Sequence, residues 1–395
     1  WHVSEETFME VVRPVLSRLS LRVATGYTGN INKTVKPNLM MKYYKNFRIS
    51  DDENYRMGYI NNAPNPKLRW EKTRDVKVAL DFGLWKDRIN GIVEAYWRKS
   101  KDCVTSEYVP VTTGFFNQSY NTSVLQNNGV EFSLSVAVLK SKDYNLSVSA
   151  NVAWNQNKLK KYNSPNTSLA LDKYVGYPMG AVFSGKYEGI DPETGMYKFK
   201  LRPDAVTNKD GYLREPNNYY YYLGTSVAPF TGGFNLNFSY KNIGLSVGGS
   251  YSVKAKMVDN IESPAGYELL SGSKLESIPT PHNDLYRNHL NVKREVRNRW
   301  TPENRTGVKY PRLIDAYGKK LGLDLTNPTL TTITRGALLE DISYLRINTI
   351  ALSYSLPQRV LERINFSSAA LNLTLNNFFT ITKYSGIDPE VPGAT

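Results

Sequence analysis

Residues 129–156 read GVEFSLSVAVLKSKDYNLSVSANVAWNQ. Val130, Phe132, Leu134, Val136 and Val138 share one parity, and Glu131, Ser133, Ser135 and Ala137 share the other. After a charged break at Lys140–Asp143 the pattern resumes. Tyr144, Leu146, Val148, Ala150, Val152 and Trp154 now stand against Asn145, Ser147, Ser149, Asn151 and Asn155. Successive side chains of a strand point to opposite faces. A period of two on both sides of a short turn therefore predicts a hairpin with one apolar and one polar face. If the apolar face meets a second sheet, the protein is a soluble sandwich. If it meets lipid, the protein is a membrane barrel. Parity by itself leaves both open.

The unit recurs along the chain. Val76, Val78, Leu80, Phe82 and Leu84 alternate with Asp75, Lys77, Ala79 and Asp81; past a turn, Val93, Ala95 and Trp97 alternate with Glu94 and Arg98. Phe234, Leu236 and Phe238 lead through Lys241–Asn242 to Leu245, Val247, Tyr251 and Val253. Ile350, Leu352, Tyr354 and Leu356 run to a ten-residue connection, after which come Leu371, Leu373 and Leu375, and an earlier strand holds Leu19, Leu21, Val23 and Tyr27. These make nine expected strands. The connections near residues 85–89, 140–143, 241–243 and 357–366 are short. Those near 29–71, 101–128, 158–229 and 258–337 are long, with further hairpins expected inside them, for example around Met196–Lys200. Alternating short turns and long loops is the layout of an outer-membrane barrel. Long structureless loops count against a compact soluble domain. Aromatic strand ends (Tyr27, Tyr144, Trp154, Tyr240) favour the membrane. The first residues predict a short, imperfect helix, since Phe8, Val11, Val12, Val15 and Leu16 keep helical spacing around Pro14.

Composition narrows the function. No run of the 395 residues reaches the roughly 18 apolar positions of a membrane helix. One cysteine, Cys103, excludes an internal disulfide framework, and three histidines (His2, His282, His289) argue against a histidine-rich metal site. No nucleophile elbow, zinc-protease helix, P-loop or dinucleotide fingerprint occurs, so no enzyme activity and no cofactor is expected. The net charge of +14 raises nucleic acid as a partner. Its densest basic group, Arg287, Lys293, Arg294, Arg297, Arg299 and Arg305, reads as a solvated loop, because no nucleic-acid module surrounds it. No nucleic-acid partner is expected.

The polar parity nominates Asp75, Lys77, Asp81, Glu94, Arg98 and Glu131 as lining of a hydrated lumen. Phe115, Phe116 and Tyr120, with Tyr219, Tyr220, Tyr221 and Tyr222, are candidate stacking platforms on loops; packing within those loops is the competing use. Tyr-x-Gly-Ile-Asp-Pro-Glu occurs at Tyr187–Glu193 and again at Tyr384–Glu390. Its carboxylates are expected to accept backbone N–H bonds in turns; a calcium site or acid/base pair is the alternative.

Several phrases then carry a resemblance. WHVSEETF and LSLRVATGYTGN fall within residues 1–30, followed by NPKLRWEKT (65–73), LQNNGVEFSL (125–134) and GYPMGAVFSGKYEGIDPETG (176–195). TPENRTGVKYPRL (301–313), LLEDISYLRINTIALSYSLP (338–357) and NNFFTITKYSGIDPEV (376–391) complete the series. In this order and spacing the chain resembles the C-terminal half of a SusC/RagA-type TonB-dependent outer-membrane transporter. That resemblance implies an all-β fold: an antiparallel transmembrane β-barrel segment, about nine strands of a 22-stranded, plugged barrel with long extracellular loops. All of residues 1–395 would belong to that one barrel domain, with the plug, the TonB-contacting segment and twelve strands before Trp1 and a closing strand after Thr395. It further implies a Bacteroidetes-type nutrient importer of oligosaccharides or peptides in the bacterial outer membrane, with outer-membrane lipid, TonB and a SusD-like surface lipoprotein as partners. A passive porin or adhesin of the same architecture, and a soluble glycan-binding β-sandwich, remain as alternatives.

Overall fold

The computed structural model describes residues 1–31, 41–48, 56–60, 62–162, 174–193, 195, 197–205, 218–258, 297–309, 335–386 and 388–390. Arg287, Lys293, Arg294, Met196, His282 and His289 lie outside the described residues. The nine strands read from the alternation are the nine successive strands of one sheet. They are β1 (Leu16–Asn30), β2 (Glu71–Leu84), β3 (Ile89–Tyr108), β4 (Asn117–Lys140), β5 (Tyr144–Tyr162), β6 (Phe230–Tyr240), β7 (Ile243–Val253), β8 (Tyr344–Ser355) and β9 (Ala370–Thr382). Along this path each strand's neighbours are its chain neighbours, and the pairs from β1 to β6 are antiparallel; a tenth, two-residue strand, Asn62–Ala63, lies off the path and pairs in parallel with Asn117–Gln118 of β4.

The register sorts the two faces into rows. Leu21, Leu80, Val93, Phe132 and Val152 are successive cross-strand partners, as are Val23, Val78, Ala95, Val130, Trp154 and Phe230. On the opposite face Ser135 pairs Ser149 and Ser149 pairs Asn235, while Ser133 pairs Asn151. Because the side-chain period is two, a slip of one residue would exchange the faces. The apolar rows have no second layer over them. Val23 and Leu371 are each 67% exposed, and none of the buried apolar residues among those described lies on this face. The polar face is the hollowed one. A recess of about 360 Å³ is lined mainly by residues of the polar parity, among them Ser133, Ser135, Ser149, Asn151 and Asn235. Asn145, Ser147, Asn237, Ser246 and Ser353 are among the residues lining another, of about 380 Å³. A sandwich would bury its apolar face about 10 Å beneath a partner sheet; here that face is left for lipid.

The long connections contain more strand than their composition indicates. A tilted strand spans a membrane in about 9–11 residues, yet β3 has 20 and β4 has 24. The expected loop at 101–128 is largely a continuation of the β3–β4 hairpin. Register irregularities at Ser100–Val104 and at Val124–Leu125 separate the alternating part from this extension. Cys103 lies inside β3, within the stretch expected to be a loop, and is buried. Above the irregularities burial is polar: Glu107, Ser119, Thr122 and Ser123 are all buried, and the Tyr162 hydroxyl donates to the Glu107 carboxylate. The segment NPKLRWEKT is tied to this hairpin. Asn65 Nδ2 donates to Ser119 O (2.7 Å), Asn121 exchanges two bonds with the Arg69 backbone (2.8 and 2.9 Å), and Glu71 accepts from Val104 N (2.9 Å) and Asn30 Nδ2 (2.7 Å). Such bonds each contribute about 0.5–1.5 kcal/mol net.

The described contacts divide into two compact units, residues 1–179, 229–250 and 347–379, and residues 180–228, 251–346 and 380–395. Among its described residues the second contains three small two-stranded pairings. Tyr187–Ile190 pairs Tyr197–Phe199, which is the hairpin expected near Met196–Lys200. Ala181–Gly185 pairs Tyr220–Thr225, and Lys256–Val258 pairs Leu339–Asp341. Its core gathers Ala255, Ile342 and Tyr384. In the first unit the expected N-terminal helix is a run of 3-10 turns, Val3–Glu5 and Thr7–Met9, followed by α-type bonds from Arg13 N to Met9 O and Leu16 N to Val12 O. Pro14 supplies no N–H, which keeps the run short.

Candidate functional site

The charged residues singled out by parity come together on the polar face of β2, β3 and β4. Asp75 and Arg98 are direct cross-strand partners, 2.8 Å apart. Lys77 reaches diagonally to Glu94 at 2.9 Å. Asp81 is held by a residue the sequence reading passed over: Arg22 on β1 donates through Nε (2.6 Å) and Nη2 (3.0 Å). Arg22 sits between Leu21 and Val23 with the polar parity of β1, so the alternation itself held the signal. These pairs are partly exposed, the Arg22 side chain by 59%, and each contributes at most about 1 kcal/mol. Their effect is to fix charge in place along the wall. Glu131 faces Glu94 directly across the β3–β4 pair, and among the described residues it has no cationic partner.

Tyr96 is the second missed residue. It is an aromatic at a polar-parity position between Glu94 and Arg98. Its ring lies across Gly129, where a Cβ would stand 2.4 Å from the ring carbon Cζ. Its hydroxyl donates to Asn155 Oδ1 at 3.0 Å. One side chain thus spans three strands along the row Tyr96, Gly129, Asn155.

The aromatic candidates divide by availability. Phe115 and Phe116 follow the Val111–Thr113 turn at the tip of the β3–β4 hairpin, and Phe116 is 69% exposed. Tyr120 lies within β4, its hydroxyl bonded to Gln118. In the other unit, Tyr221 donates to Leu201 O (2.8 Å) and Tyr222 sits 5.8 Å from the Phe183 ring, with its own surface exposed. Burial pushes the Tyr219 phenol above its ordinary pKa, as expected of a group committed to packing. Tyr220, on the same strand as Tyr221, is half-buried. Phe116 and Tyr222 are therefore the two exposed residues of the seven.

Both Tyr-x-Gly-Ile-Asp-Pro-Glu copies form turns of the expected kind. Asp191 Oδ1 accepts from Glu193 N, and Asp388 Oδ1 from Glu390 N, each at 2.8 Å. The second copy has a further partner. Arg346, with a side chain 8% exposed, reaches Asp388 (2.5 Å) and Glu390 (2.8 Å). One guanidinium thus bridges both carboxylates in charge-assisted hydrogen bonds, a structural use of the pair.

No family model matches the chain. Among curated proteins, it is 26% identical over 418 residues to the TonB-dependent receptor SusC of Bacteroides thetaiotaomicron, covering 99% of this chain and 37% of that protein. It is 25% identical over 417 residues to the TonB-dependent receptor P26 of Formosa agariphila, covering 99% and 38%. The chain therefore spans less than two fifths of the length of these relatives. Among solved structures, the RagAB peptide importer in its closed-closed state superposes with a TM-score of 0.75 at 25% identity, over 99% of this chain and 40% of that one. The open-open state gives 0.72 at 25% identity, covering 99% and 39%. With the uncovered apolar rows and the hollowed polar face, these likenesses identify the chain as a segment of a bacterial outer-membrane β-barrel. It matches the C-terminal barrel part of the SusC/RagA-type TonB-dependent transporters.

Proposed function

We propose that the chain forms part of the wall of an active importer that carries oligosaccharides or peptides inward across the outer membrane. Energy would arrive through TonB, and a SusD-like surface lipoprotein would close the outer mouth. The observation that carries this reading is the likeness, over 99% of the chain, to a TonB-dependent receptor and to a peptide importer. In this reading the wall is a rigid, hydrated surface. Asp75, Lys77, Asp81, Glu94, Arg98 and Glu131 line the passage as fixed charge, and ion pairing keeps most of them from trapping cargo. Phe116 and Tyr222 are the stacking surfaces best placed to meet cargo or lid, with Phe115, Tyr120 and Tyr219–Tyr221 supporting them. The chain contributes binding and passage and no catalysis.

The test is uptake of fluorescent oligosaccharide and peptide pools by cells that carry or lack the protein, with and without a proton-motive-force uncoupler. The expected result is accumulation of one pool that disappears with the protein and with the uncoupler alike. Accumulation that depends on the protein but survives the uncoupler would refute active import and identify a passive pore. Charge reversal at Asp75, Lys77 and Glu94 should slow uptake; unchanged rates would remove these residues from the passage.

A further inference from the structure

The rim of short turns carries two segments that transport does not account for. Both belong to the unit that holds most of the sheet. The first is residues 7–15, which enter β1. Phe8, Val11, Val12 and Val15 repeat at helical spacing and all four are exposed, Val11 by 89%. The second lies between β8 and β9, where Gln358–Arg363 form a helical turn. There Leu361 points inward, 4% exposed, while Val360, Ile364 and Phe366 are exposed. Strand direction puts both segments at one rim. β1 begins there, β2 ends there at Leu84 just before Trp85, β8 ends there and β9 begins there.

Seven exposed apolar side chains on a water-bathed rim would be costly, at about 25 cal/mol per Å² of apolar surface. The rim gives them another solvent. Trp85, Tyr144 and Tyr240 are exposed at the same turns, as expected of an interfacial girdle. The first segment is joined to that girdle by Trp85 N donating to Val15 O at 2.7 Å. The second is drawn back to the rim by Leu356 N donating to Ala369 O at 2.9 Å. The polar residues of both segments, Glu10 and Arg13 in one and Arg359, Glu362 and Arg363 in the other, are exposed beside the apolar ones. Short amphipathic stretches of this kind bury an apolar face in the headgroup–acyl boundary.

We propose that residues 7–15 and 358–366 are two membrane-interface pads that lie in the phospholipid leaflet at the short-turn rim. They continue the lipid-facing surface of the strands sideways and fix the depth and tilt of this side of the barrel. The inference rests on the outer-membrane reading and is independent of cargo and energy source.

The experiment uses the full-length protein containing this chain, with Cys103→Ala, reconstituted into vesicles of phosphatidylethanolamine and phosphatidylglycerol. Single nitroxide labels are placed at Phe8, Val11, Val360 and Phe366. Labels at Glu10 and Glu362 serve as water references, and labels at Val130 and Leu371 as lipid references. Collision with oxygen is compared with collision with a water-soluble nickel chelate. The pads should show an oxygen-to-nickel ratio several-fold above Glu10 and Glu362, below or equal to that at Val130 and Leu371. A ratio equal to the water references overturns the proposal. So does shielding from both reagents, which would mean that protein covers these residues. If Val130 and Leu371 themselves report water, the membrane reading of the sheet falls, and the pads fall with it.

Discussion

Replacing Phe132 by arginine tests which solvent each face of the sheet meets. Phe132 stands near the middle of the alternating part of β4, with Val93 and Val152 as cross-strand partners and no layer above it. Its neighbour Ser133 points the other way, into the polar recess. On a lipid-facing strand position at the bilayer midplane, arginine costs about 2–4 kcal/mol, and the cost disappears on a lumen-facing position. At 1.4 kcal/mol per decade this shifts the folding equilibrium by roughly 30- to 700-fold. The comparison is Phe132→Arg against Phe132→Ala, which separates the charge from the lost ring, with Ser133→Arg as the opposite-face control. Guanidinium titration in phospholipid vesicles, read by the gel-mobility difference between folded and unfolded barrel, measures all three. Phe132→Arg should lie 2–4 kcal/mol below Phe132→Ala, and Ser133→Arg within about 1 kcal/mol of the parent. Equal costs for the two arginines, or the reverse order, would refute the assignment of faces.

Three further outcomes are expected. Glu131→Gln should raise stability by about 0.2–1 kcal/mol in the same titration, because it removes a like-charge pair opposite Glu94; a loss would show that Glu131 has a stabilising partner. A double-mutant cycle on Asp75 and Arg98 should return a coupling below about 1 kcal/mol, since both side chains are partly exposed. Arg346→Met should leave Asp388 and Glu390 without their partner and speed proteolysis and hydrogen exchange across residues 383–390; unchanged protection there would show that the ion pairs do not hold the segment.

The strands were legible because a period of two is a property of neighbouring residues, and lipid on one side with water on the other keeps the pattern strict from Leu19 to Leu375. Their lengths were not. β3 and β4 run on past Ser100 and Val124 into segments whose partners are side chains far along the chain, such as Asn121 on Arg69 and Glu71 on Val104. No local pattern encodes those bonds. The charged wall residues followed from parity, which gave the face but not the pairing, so Arg22 went unseen until β1 was placed beside β2. Tyr96 was passed over because an aromatic among charges reads as an exception to the alternation. The loop tyrosines show the converse. Composition identified a cluster, but Tyr221 spends its hydroxyl on Leu201 O, and only geometry separates a ring used internally from one left open.

The tyrosine laid over Gly129 bears on how such a wall is assembled. A strand added one residue out of place exposes its error at once, because every side chain changes sides. Displacement by two residues preserves the sides and would pass that check. Here it would slide Asn127 or Glu131 beneath the ring of Tyr96, where a side chain fits only if the ring moves, and would carry Asn155 away from the hydroxyl. A single aromatic–glycine contact thus penalises the very misalignments that hydrophobicity cannot detect, since Tyr96 would have to swing away and give up its bond to Asn155.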